Sequence, residues 1–441
     1  MKGSEWLATL PANEGVRRER AIYRAVEERL YVPFDWDLIE VRYGGRIVGF
    51  LTTNDVLRVG EVDDFVRVTV NATCAQLIAD RLGTILPTTR MADLVHENAT
   101  TILPFVAQPP DALMASTQRM VAHSRAIDQA LRAKGYAGGL IDTLGKGWMI
   151  SNKLKARSDK AANFGGHDAG AKLRSPGGLR VVQDLGTWHD RFHTDYSQKW
   201  RGYAAWSYLD GSEISTGELL TNPQTAGAIS YEGTMEVLRQ PGVEPSGGDT
   251  ADPAAALTPF VQARYFQVAE RTQVDFVTLH VTVNQEGKGV ARAVGKYFAS
   301  KMLDAKGKPR PGSAHYVIDC DDVVQCVREK HVAFHAGTTA NARGIGVELV
   351  GMPNQTVAQW HDKYSSDELE LAEDLVARLC ARWQIPPVFV DAQNLRAGGR
   401  GITTHLEVTN AWHESDHVDP GPNFPIAEFV AAVARRMGWP A

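Results

Sequence analysis

Three side chains that suit a zinc ion are spread over the last third of the sequence: His280, His405 and Asp419. Imidazole nitrogens and carboxylate oxygens are common ligands of Zn²⁺, and three protein ligands leave one coordination position open, as in catalytic zinc sites. The ligands lie far apart in the chain, so they do not form a short Cys/His ribbon and the fold must bring them together. The sequence therefore predicts one zinc ion per chain, in a site of the catalytic type.

Each of these residues lies in a distinct motif. His280 ends the apolar run VDFVTLH, His405 lies in GITTHLEV, and Asp419 lies in HVDPGPNFP. Together with SAHYVIDCDDVVQCV, FHAG and GIGVELVG, and in this order along the chain, they resemble the motifs of the zinc-dependent N-acetylmuramoyl-L-alanine amidases (Amidase_2). That superfamily also contains the peptidoglycan recognition proteins. The resemblance extends from about Val274 to Met437 and does not cover the first half of the chain.

The resemblance implies a peptidoglycan hydrolase that uses zinc-activated water to cleave the amide between N-acetylmuramic acid and L-alanine of the stem peptide. Its partners would be peptidoglycan or muropeptides. Two alternatives stay open, a recognition module that binds peptidoglycan without cleaving it and a zinc hydrolase of another amide. Recognition-only relatives lose a metal ligand, whereas all three ligand positions are filled in this sequence.

The resemblance also assigns roles to residues near the predicted metal. Glu348 of GIGVELVG matches the catalytic acid of the family, although strand alternation alone would equally allow it to face solvent. Asp419 is preferred as the third ligand because DPGPNFP matches the terminal ligand motif. His413 and Asp416 lie near it in sequence and remain alternatives.

His417 departs from the family pattern, which usually has lysine at this position. In an extended segment residues i and i+2 project to the same face, so His417 is expected in the same cleft as Asp419. A protonated imidazole could stabilise an oxyanion there, with a pH dependence set by an ordinary pKa of about 6.5. The alternative is a solvated loop histidine. Substrate contacts or a packing role are expected for the residues of the AHY and HAG segments, His315, Tyr316 and His335.

The first half of the chain contains a second concentration of polar and aromatic side chains, in NFGGHDAG and TWHDRFHTDYSQKW. These segments predict either a second site or a rigid aromatic loop around a structural core. The candidate residues of the second site are His167, His189, His193, Asp195 and Tyr196. The region itself could bind cell wall, carry another activity or act as a scaffold.

The predicted fold class is α/β, with a C-terminal mixed β-sheet flanked by helices, preceded by a separate α+β N-terminal domain. The predicted limits are 1–238 for the N-terminal domain, 239–256 for a linker rich in Pro, Gly and Asp, and 257–441 for the amidase domain. Strands are predicted at DFVTLHV, GIGVELVG and ITTHLEV, with a hairpin formed by AHYVIDC and VVQCV. Helices are predicted at ARAVGKYFASKML, at SSDELELAEDLVARLCARW with a serine N-cap, and at PIAEFVAAVARRM.

In the N-terminal domain, periodicity predicts helices over Arg17–Leu30 and Asp111–Lys134 and strands over Leu38–Thr52 and Phe65–Val70. The length of 441 residues favours two or three domains. The net charge of −5 does not indicate a positively charged surface for binding nucleic acid. No run approaches the ~18 apolar residues of a membrane span.

The sequence leaves the localisation and the oligomeric state open. No secretory signal is visible, so we expect synthesis in the cytoplasm, with access to the cell wall through lysis or a dedicated export machine. The four cysteines, Cys74, Cys320, Cys326 and Cys380, do not resemble a disulfide framework. Cys320 and Cys326 flank a short turn and could be bonded or reduced. Cys74 could be a nucleophile or a packed apolar residue.

Overall fold

The computed structural model describes residues 1–244, 253–303, 307–309 and 311–439. It divides into two compact units, Met1–Leu257 and Thr258–Ala441. Residues 245–252 of the predicted linker lie outside the described residues. The domain limits given above therefore stay a prediction.

The first unit combines helices with several sheets. Its helices are α1 (Gly3–Leu7), α2 (Val16–Glu27), α3 (Ala72–Leu82), α4 (Thr89–Asn98), α5 (Thr117–Ala133), α6 (Thr216–Thr221), α7 (Ala226–Ile229) and α8 (Pro253–Ala256), with a 3-10 turn at Asn152–Leu154. Its strands are β1 (Trp36–Tyr43), β2 (Arg46–Thr53), β3 (Arg58–Glu61), β4 (Asp64–Arg67), β5 (Thr84–Ile85), β6 (Thr101–Ile102), β7 (Ile141–Asp142), β8 (Lys146–Met149), β9 (Ala162–His167), β10 (Leu173–Arg174), β11 (Arg180–Gly186), β12 (Gln198–Lys199), β13 (Tyr203–Leu209) and β14 (Ser212–Ser215).

Two larger sheets organise this unit. One has the order β1-β2-β13-β14, with β5 paired to β13, and the other has the order β10-β11-β9-β8-β12. Helix α4 packs near β9, and the short strand β6, which follows α4, pairs in parallel with β7, which follows α5. As a result the last residues of α4, β7 and β9 can meet at one place.

Two N-terminal predictions differ from the structure in their limits. The run predicted as one strand over Leu38–Thr52 is the hairpin β1–β2, because Gly44 and Gly45 both adopt positive φ and reverse the chain. The helix predicted from Asp111 begins at Thr117. The Ser116 side chain accepts a hydrogen bond from the Arg119 N–H and so caps the helix at that point.

The second unit is built around one mixed sheet. Its helices are α9 (Val290–Ala299), α10 (Thr338–Arg343), α11 (Val357–Trp360), α12 (Lys363–Trp383), α13 (Ala392–Arg396), α14 (His405–Trp412) and α15 (Ile426–Arg436). Its strands are β15 (Phe266–Gln267), β16 (Phe276–Val281), β17 (Tyr316–Ile318), β18 (Val323–Gln325), β19 (Val332–Ala333), β20 (Gly344–Leu349) and β21 (Gly401–Thr404).

The strand order of that sheet is β18-β17-β20-β16-β21, with β18 alone antiparallel to its neighbour. Helices α12 and α15 pack against each other, and residues of both share one core cluster with the apolar side chains of β16 and β20. This arrangement confirms the predicted fold class of the C-terminal part. Ligand sites in such sheets gather at the carboxyl ends of parallel strands.

Two predicted elements of this unit need correction. ITTHLEV is not one strand, because β21 ends at Thr404 and α14 begins at His405. The Thr404 side chain accepts a hydrogen bond from the Glu407 N–H, which starts the helix there. Helix α12 is capped by Asp362 rather than by a serine, and Ser365 donates its N–H to that carboxylate.

All four cysteines are free and buried. Cys74 is fully buried, and burial raises the pKa of its thiol well above the ordinary value, as expected for the packed residue and not for a nucleophile. Among the residues that the structure describes, no helix has the length and apolar character needed to cross a bilayer.

Candidate functional site

His280, His405 and Asp419 meet at the carboxyl edge of the C-terminal sheet. His280 is near the end of the interior strand β16, and His405 follows the end of the neighbouring edge strand β21. Asp419 lies in the loop after α14, and its Oδ2 lies 3.4 Å from the N–H of Val281. All three side chains are buried. Three elements that are distant in sequence therefore present their donor atoms to one point.

The spacing of the donor atoms fits a single zinc ion. The two Nδ1 atoms of His280 and His405 are 3.0 Å apart. His280 Nδ1 lies 3.2 Å from Asp419 Oδ2, and His405 Nδ1 lies 3.1 Å from Asp419 Oδ1. Tetrahedral ligands at zinc–nitrogen distances of about 2.0–2.1 Å would be about 3.4 Å from one another. The residues present thus have both the chemistry and the spacing of a His₂Asp zinc site.

His280 and Asp419 have the protonation that metal binding requires. Burial and the neighbouring His405 lower the pKa of His280 to about 4, so its imidazole is neutral at pH 7. Burial alone would raise the pKa of Asp419, but the contacts of its carboxylate with His280 and His405 outweigh burial and hold that pKa below its usual range. Neutral imidazoles and an ionised carboxylate are the ligand forms that bind zinc.

Each imidazole is also oriented through its second nitrogen. His280 Nε2 lies 3.0 Å from His335 Nδ1, and His405 Nε2 lies 3.0 Å from Ser415 Oγ. A proton on Nε2 of each ring leaves the lone pair of Nδ1 available to a metal ion, which is how hydrogen-bond partners orient histidines at metal sites. Gly346 makes room for this arrangement, since an added Cβ there would lie 2.5 Å from the His335 ring.

Glu348 faces the same cluster. It is in register with His280 on the parallel strand β20, so both side chains project from the same side of the sheet. Its Oε2 is buried and has no hydrogen-bond partner in the described part of the chain. Burial and the nearby charge of Asp419 raise the pKa of Glu348 to about 8. A carboxylate left unpaired at such a place is available to hold or release a proton.

His417 lies at the solvent side of the cluster. Its ring stacks on His405 with centroids 4.7 Å apart, and its Nδ1 is 3.4 Å from Asp419 Oδ1. Half of its side chain is exposed. The two other residues weighed as ligands, His413 and Asp416, are exposed and lie outside the group of donor atoms.

The loop that carries Asp419 is held by close packing of the backbone. Gly421 has φ +99, and an added Cβ would lie 1.8 Å from the carbonyl oxygen of Pro353. Only glycine fits both the conformation and the contact. The Pro-Gly pair after Asp419 thus fixes where the carboxylate can be.

His315 and Tyr316 of the AHY segment are both buried. His315 is fully buried, its Nδ1 accepts a hydrogen bond from the Gly346 N–H, and burial lowers its pKa to about 3. The Tyr316 hydroxyl donates to Glu329 at 2.6 Å. We propose that these two residues support the sheet, and that His335 positions His280, in place of the predicted substrate contacts.

The five N-terminal candidates do not form one constellation. His189 and His193 stack with centroids 4.2 Å apart. Asp195 pairs with Lys146 at 2.9 Å, and the hydroxyl of Tyr196 accepts a hydrogen bond from the N–H of Gln108. His167 contacts Asp93 and Asp142 instead. Sequence reasoning missed the partners of His167, because nothing about DLVHEN or LIDT marks those segments as chemical.

Comparison with known proteins supports the motif-based resemblance. Residues 270–422 match the model of the N-acetylmuramoyl-L-alanine amidase family, Amidase_2, which confirms the resemblance for the C-terminal part of the chain. No curated protein matches the chain significantly.

Several solved structures are similar to parts of this chain. The hydrolase AmiA of Staphylococcus aureus, solved in complex with its ligand, is 16% identical, covers 41% of this chain and 85% of its own, and gives a TM-score of 0.31. A mutant endolysin from Bacillus subtilis is 17% identical, with coverages of 40% and 99% and a TM-score of 0.25. The endolysin amidase LysCS from Clostridium intestinale is 16% identical, with coverages of 41% and 96% and a TM-score of 0.26.

Proposed function

Because residues 270–422 match the N-acetylmuramoyl-L-alanine amidase family, we propose that this protein is a zinc-dependent amidase of peptidoglycan. It would cleave the amide between N-acetylmuramic acid and L-alanine of the stem peptide. The observation that carries the proposal is the convergence of His280, His405 and Asp419 beside Glu348 at one sheet edge. Peptidoglycan or soluble muropeptides would be the substrate.

One zinc ion per chain would be held by His280 Nδ1, His405 Nδ1 and the carboxylate of Asp419. Bound there, zinc would supply Lewis acidity, which makes water a nucleophile near neutral pH and polarises the scissile carbonyl. The three side chains are buried and pre-oriented by His335 and Ser415, so little rearrangement is needed to accept the ion.

Glu348 would act as the proton carrier. Its carboxylate lies on the same face as His280 and has one oxygen without a partner, so it can accept a proton from the attacking water. The same oxygen can then deliver that proton to the leaving amine nitrogen of L-alanine. A divalent cation beside it would lower its pKa from about 8, which favours the ionised form needed at the start.

His417 would act on the carbonyl oxygen. Its ring is half exposed at the edge of the cluster, where a substrate would enter, and it could donate a hydrogen bond to the oxygen that becomes negative in the transition state. We assign it this role in place of the lysine usual in the family.

Replacing Glu348 with glutamine tests the enzyme assignment. The amide keeps the size and shape of the side chain but cannot accept the proton, so release of stem peptide should fall by about 10²–10⁴-fold. Zinc content and muropeptide binding should stay close to wild type, because the lost interaction acts in the transition state. The rate is measured by mass spectrometry of free stem peptides released from purified muropeptides.

Glu428→Gln is a matched control, since Glu428 is an exposed glutamate of the same unit. It should leave the rate unchanged. Wild-type release by Glu348→Gln would remove Glu348 from the mechanism. No release by the wild-type protein, with zinc bound and muropeptide binding intact, would identify a recognition module. Release of peptide only from other amide substrates would identify a hydrolase of a different specificity.

A further inference from the structure

A second group of side chains that could hold a metal ion lies in the first unit, far in sequence from His280, His405 and Asp419. His96 is in the last turn of α4, Asp142 ends β7, and His167 ends β9. His96 Nδ1 and His167 Nδ1 lie 2.8 Å and 3.2 Å from the same atom, Asp142 Oδ2. The two rings stack with centroids 4.4 Å apart and planes 18° from parallel. We call this group the N-terminal triad.

The second ring nitrogen of His167, Nε2, already has a hydrogen-bond partner. Its Nε2 lies 2.8 Å from Oδ1 of Asp93, a fully buried carboxylate whose Oδ2 accepts a hydrogen bond of 2.9 Å from the Tyr231 hydroxyl. Since a neutral imidazole has one N–H, that proton belongs on Nε2, facing Asp93. Nδ1 then presents a lone pair to a carboxylate oxygen 3.2 Å away. Two lone pairs at that distance repel unless a cation lies between them or the ring is doubly protonated.

The relation of Asp93 to His167 is the one seen around metal-binding histidines. Such a histidine donates its other N–H to a carboxylate, which fixes the ring and the tautomer. Asp93 is itself one turn before His96 on α4, so the same helix supplies a ligand and the residue that orients another ligand. At a metal site, this arrangement would fix the ring of His167 with Nδ1 directed at the ion.

The backbone next to Asp142 adds an independent observation. Thr143 has φ +67, a conformation that β-branched residues rarely adopt. It is buried, and its Oγ1 donates a hydrogen bond of 2.9 Å to the carbonyl oxygen of His167. Unfavourable conformations of this kind persist mostly at functional sites, where surrounding contacts enforce them. Here the strained residue ties the ends of β7 and β9 together and sets the spacing of the triad.

We propose that His96, Asp142 and His167 form a second site for a divalent transition-metal ion, with zinc as the expected occupant. Two imidazoles and one carboxylate suit zinc and leave an open coordination position. Asp142 and His167 line a cavity that also contains Lys146, Trp148 and Tyr203, so a bound ion would be reachable from that side. The distance of 2.8 Å between His96 and Asp142 would widen by about half an ångström around an ion.

This site is independent of the amidase proposal, and metal content measured on the full chain separates the two. The wild type, His280→Ala, Asp142→Asn and the double variant are loaded with Zn²⁺, desalted and measured by elemental analysis. With both sites present, we expect two zinc ions per chain in the wild type, one in each single variant and none in the double variant. Zinc should also raise the melting temperature of His280→Ala and not that of the double variant.

If only the amidase site binds, His280→Ala will contain no more zinc than the double variant, and the N-terminal site is overturned. A doubly protonated His167 held between two carboxylates would give the same result. If only the N-terminal site binds, Asp142→Asn will be empty and His280→Ala will be loaded, which overturns the amidase site instead.

Two further variants test whether loss of zinc comes from loss of a ligand or from unfolding, and whether the ligand set is correct. His96→Gln changes a side chain that is 19% exposed, and in the His280→Ala background it should remove the zinc while circular dichroism stays unchanged. His189→Gln, a histidine of the same unit outside the triad, should retain it in that background. Zinc that survives His96→Gln, or that disappears with His189→Gln, would overturn the assignment.

Discussion

The side chains of the C-terminal site differ in what their second polar atom contacts. His280 and His405 each have one nitrogen directed at Asp419 and the other at a neighbour that fixes the tautomer. Glu348 differs because one of its oxygens has no partner in the described residues. The proposed ligands are therefore constrained at both ring nitrogens, whereas the proposed proton carrier keeps one free oxygen. This contrast is expected if the histidines hold a metal ion and Glu348 moves a proton.

His417 provides a residue-level test of oxyanion stabilisation. His417→Ala should lower the rate of peptide release by about 10²-fold, the lower range for loss of one donor to an oxyanion, because the side chain is half exposed. His417→Lys should restore most of the rate, since an ammonium can donate to the same oxygen. Initial rates on muropeptides measure both effects.

Zinc content should be unchanged in both variants, because His417 is outside the donor group. His413→Ala, which removes an exposed histidine of the same loop, is the control and should behave as wild type. An unchanged rate for His417→Ala would show that His417 is a solvated loop residue.

At the level of elements, the site depends on parallel strands ending in register. β16 and β20 place His280 beside Glu348, and β21 ends so that His405 becomes the first residue of α14. Asp419 is the exception, since a loop carries it and regular hydrogen bonding cannot fix its place. The backbone contact of Gly421 with Pro353 supplies that restraint.

Gly421→Ala should therefore damage the metal site from outside it. The methyl group would collide with the Pro353 carbonyl oxygen, and the positive φ would be strained as well. We expect a loss of unfolding free energy of about 2–4 kcal/mol and at least about tenfold weaker zinc binding, because the Asp419 loop must shift. Urea unfolding and competition with a chromogenic chelator measure the two effects.

Gly398→Ala is the matched control for this change. Gly398 also has positive φ, +88, but an added Cβ would meet nothing within 4 Å. Gly398→Ala should lower the free energy of unfolding by only about 1–2 kcal/mol, the cost of a positive φ for a residue with a Cβ, and should leave zinc affinity unchanged. Equal effects of the two substitutions would show that the contact with Pro353 does not position Asp419.

Across the whole molecule, the two halves differ in how much their sequences reveal. The three proposed ligands and Glu348 lie in motifs of recognisable order, so the C-terminal fold and the candidate residues could be predicted together. The change from strand β21 to helix α14 at Thr404 could not be predicted, because the residues LEV suit a strand as well as a helix. The hydrogen bond from the Glu407 N–H to the Thr404 side chain decides for the helix. His96 and Asp142 could not be found either, since only the fold brings them to His167.

The C-terminal unit should function by itself. Three clusters of buried apolar side chains in Thr258–Ala441 are built wholly from its own residues, so it has cores of its own. Expressed alone, this segment should fold, bind one zinc ion and release stem peptides from soluble muropeptides at a rate close to that of the full chain. Near-ultraviolet circular dichroism and the peptide-release assay would check this. An unfolded or inactive segment would contradict it.

The wide separation of His280 and Asp419 along the chain has a consequence for durability. An ion held by both would cross-link an interior strand to the loop before α15, closing a loop of more than a hundred residues. In the chain-entropy description, a cross-link that closes a loop of this length lowers the entropy of the unfolded chain and so raises the free energy of unfolding by about 4–5 kcal/mol. The metal would then stabilise the fold as well as take part in the reaction. Cells short of zinc would lose the protein to proteolysis as well as its activity, so metal supply would set the lifetime of each molecule.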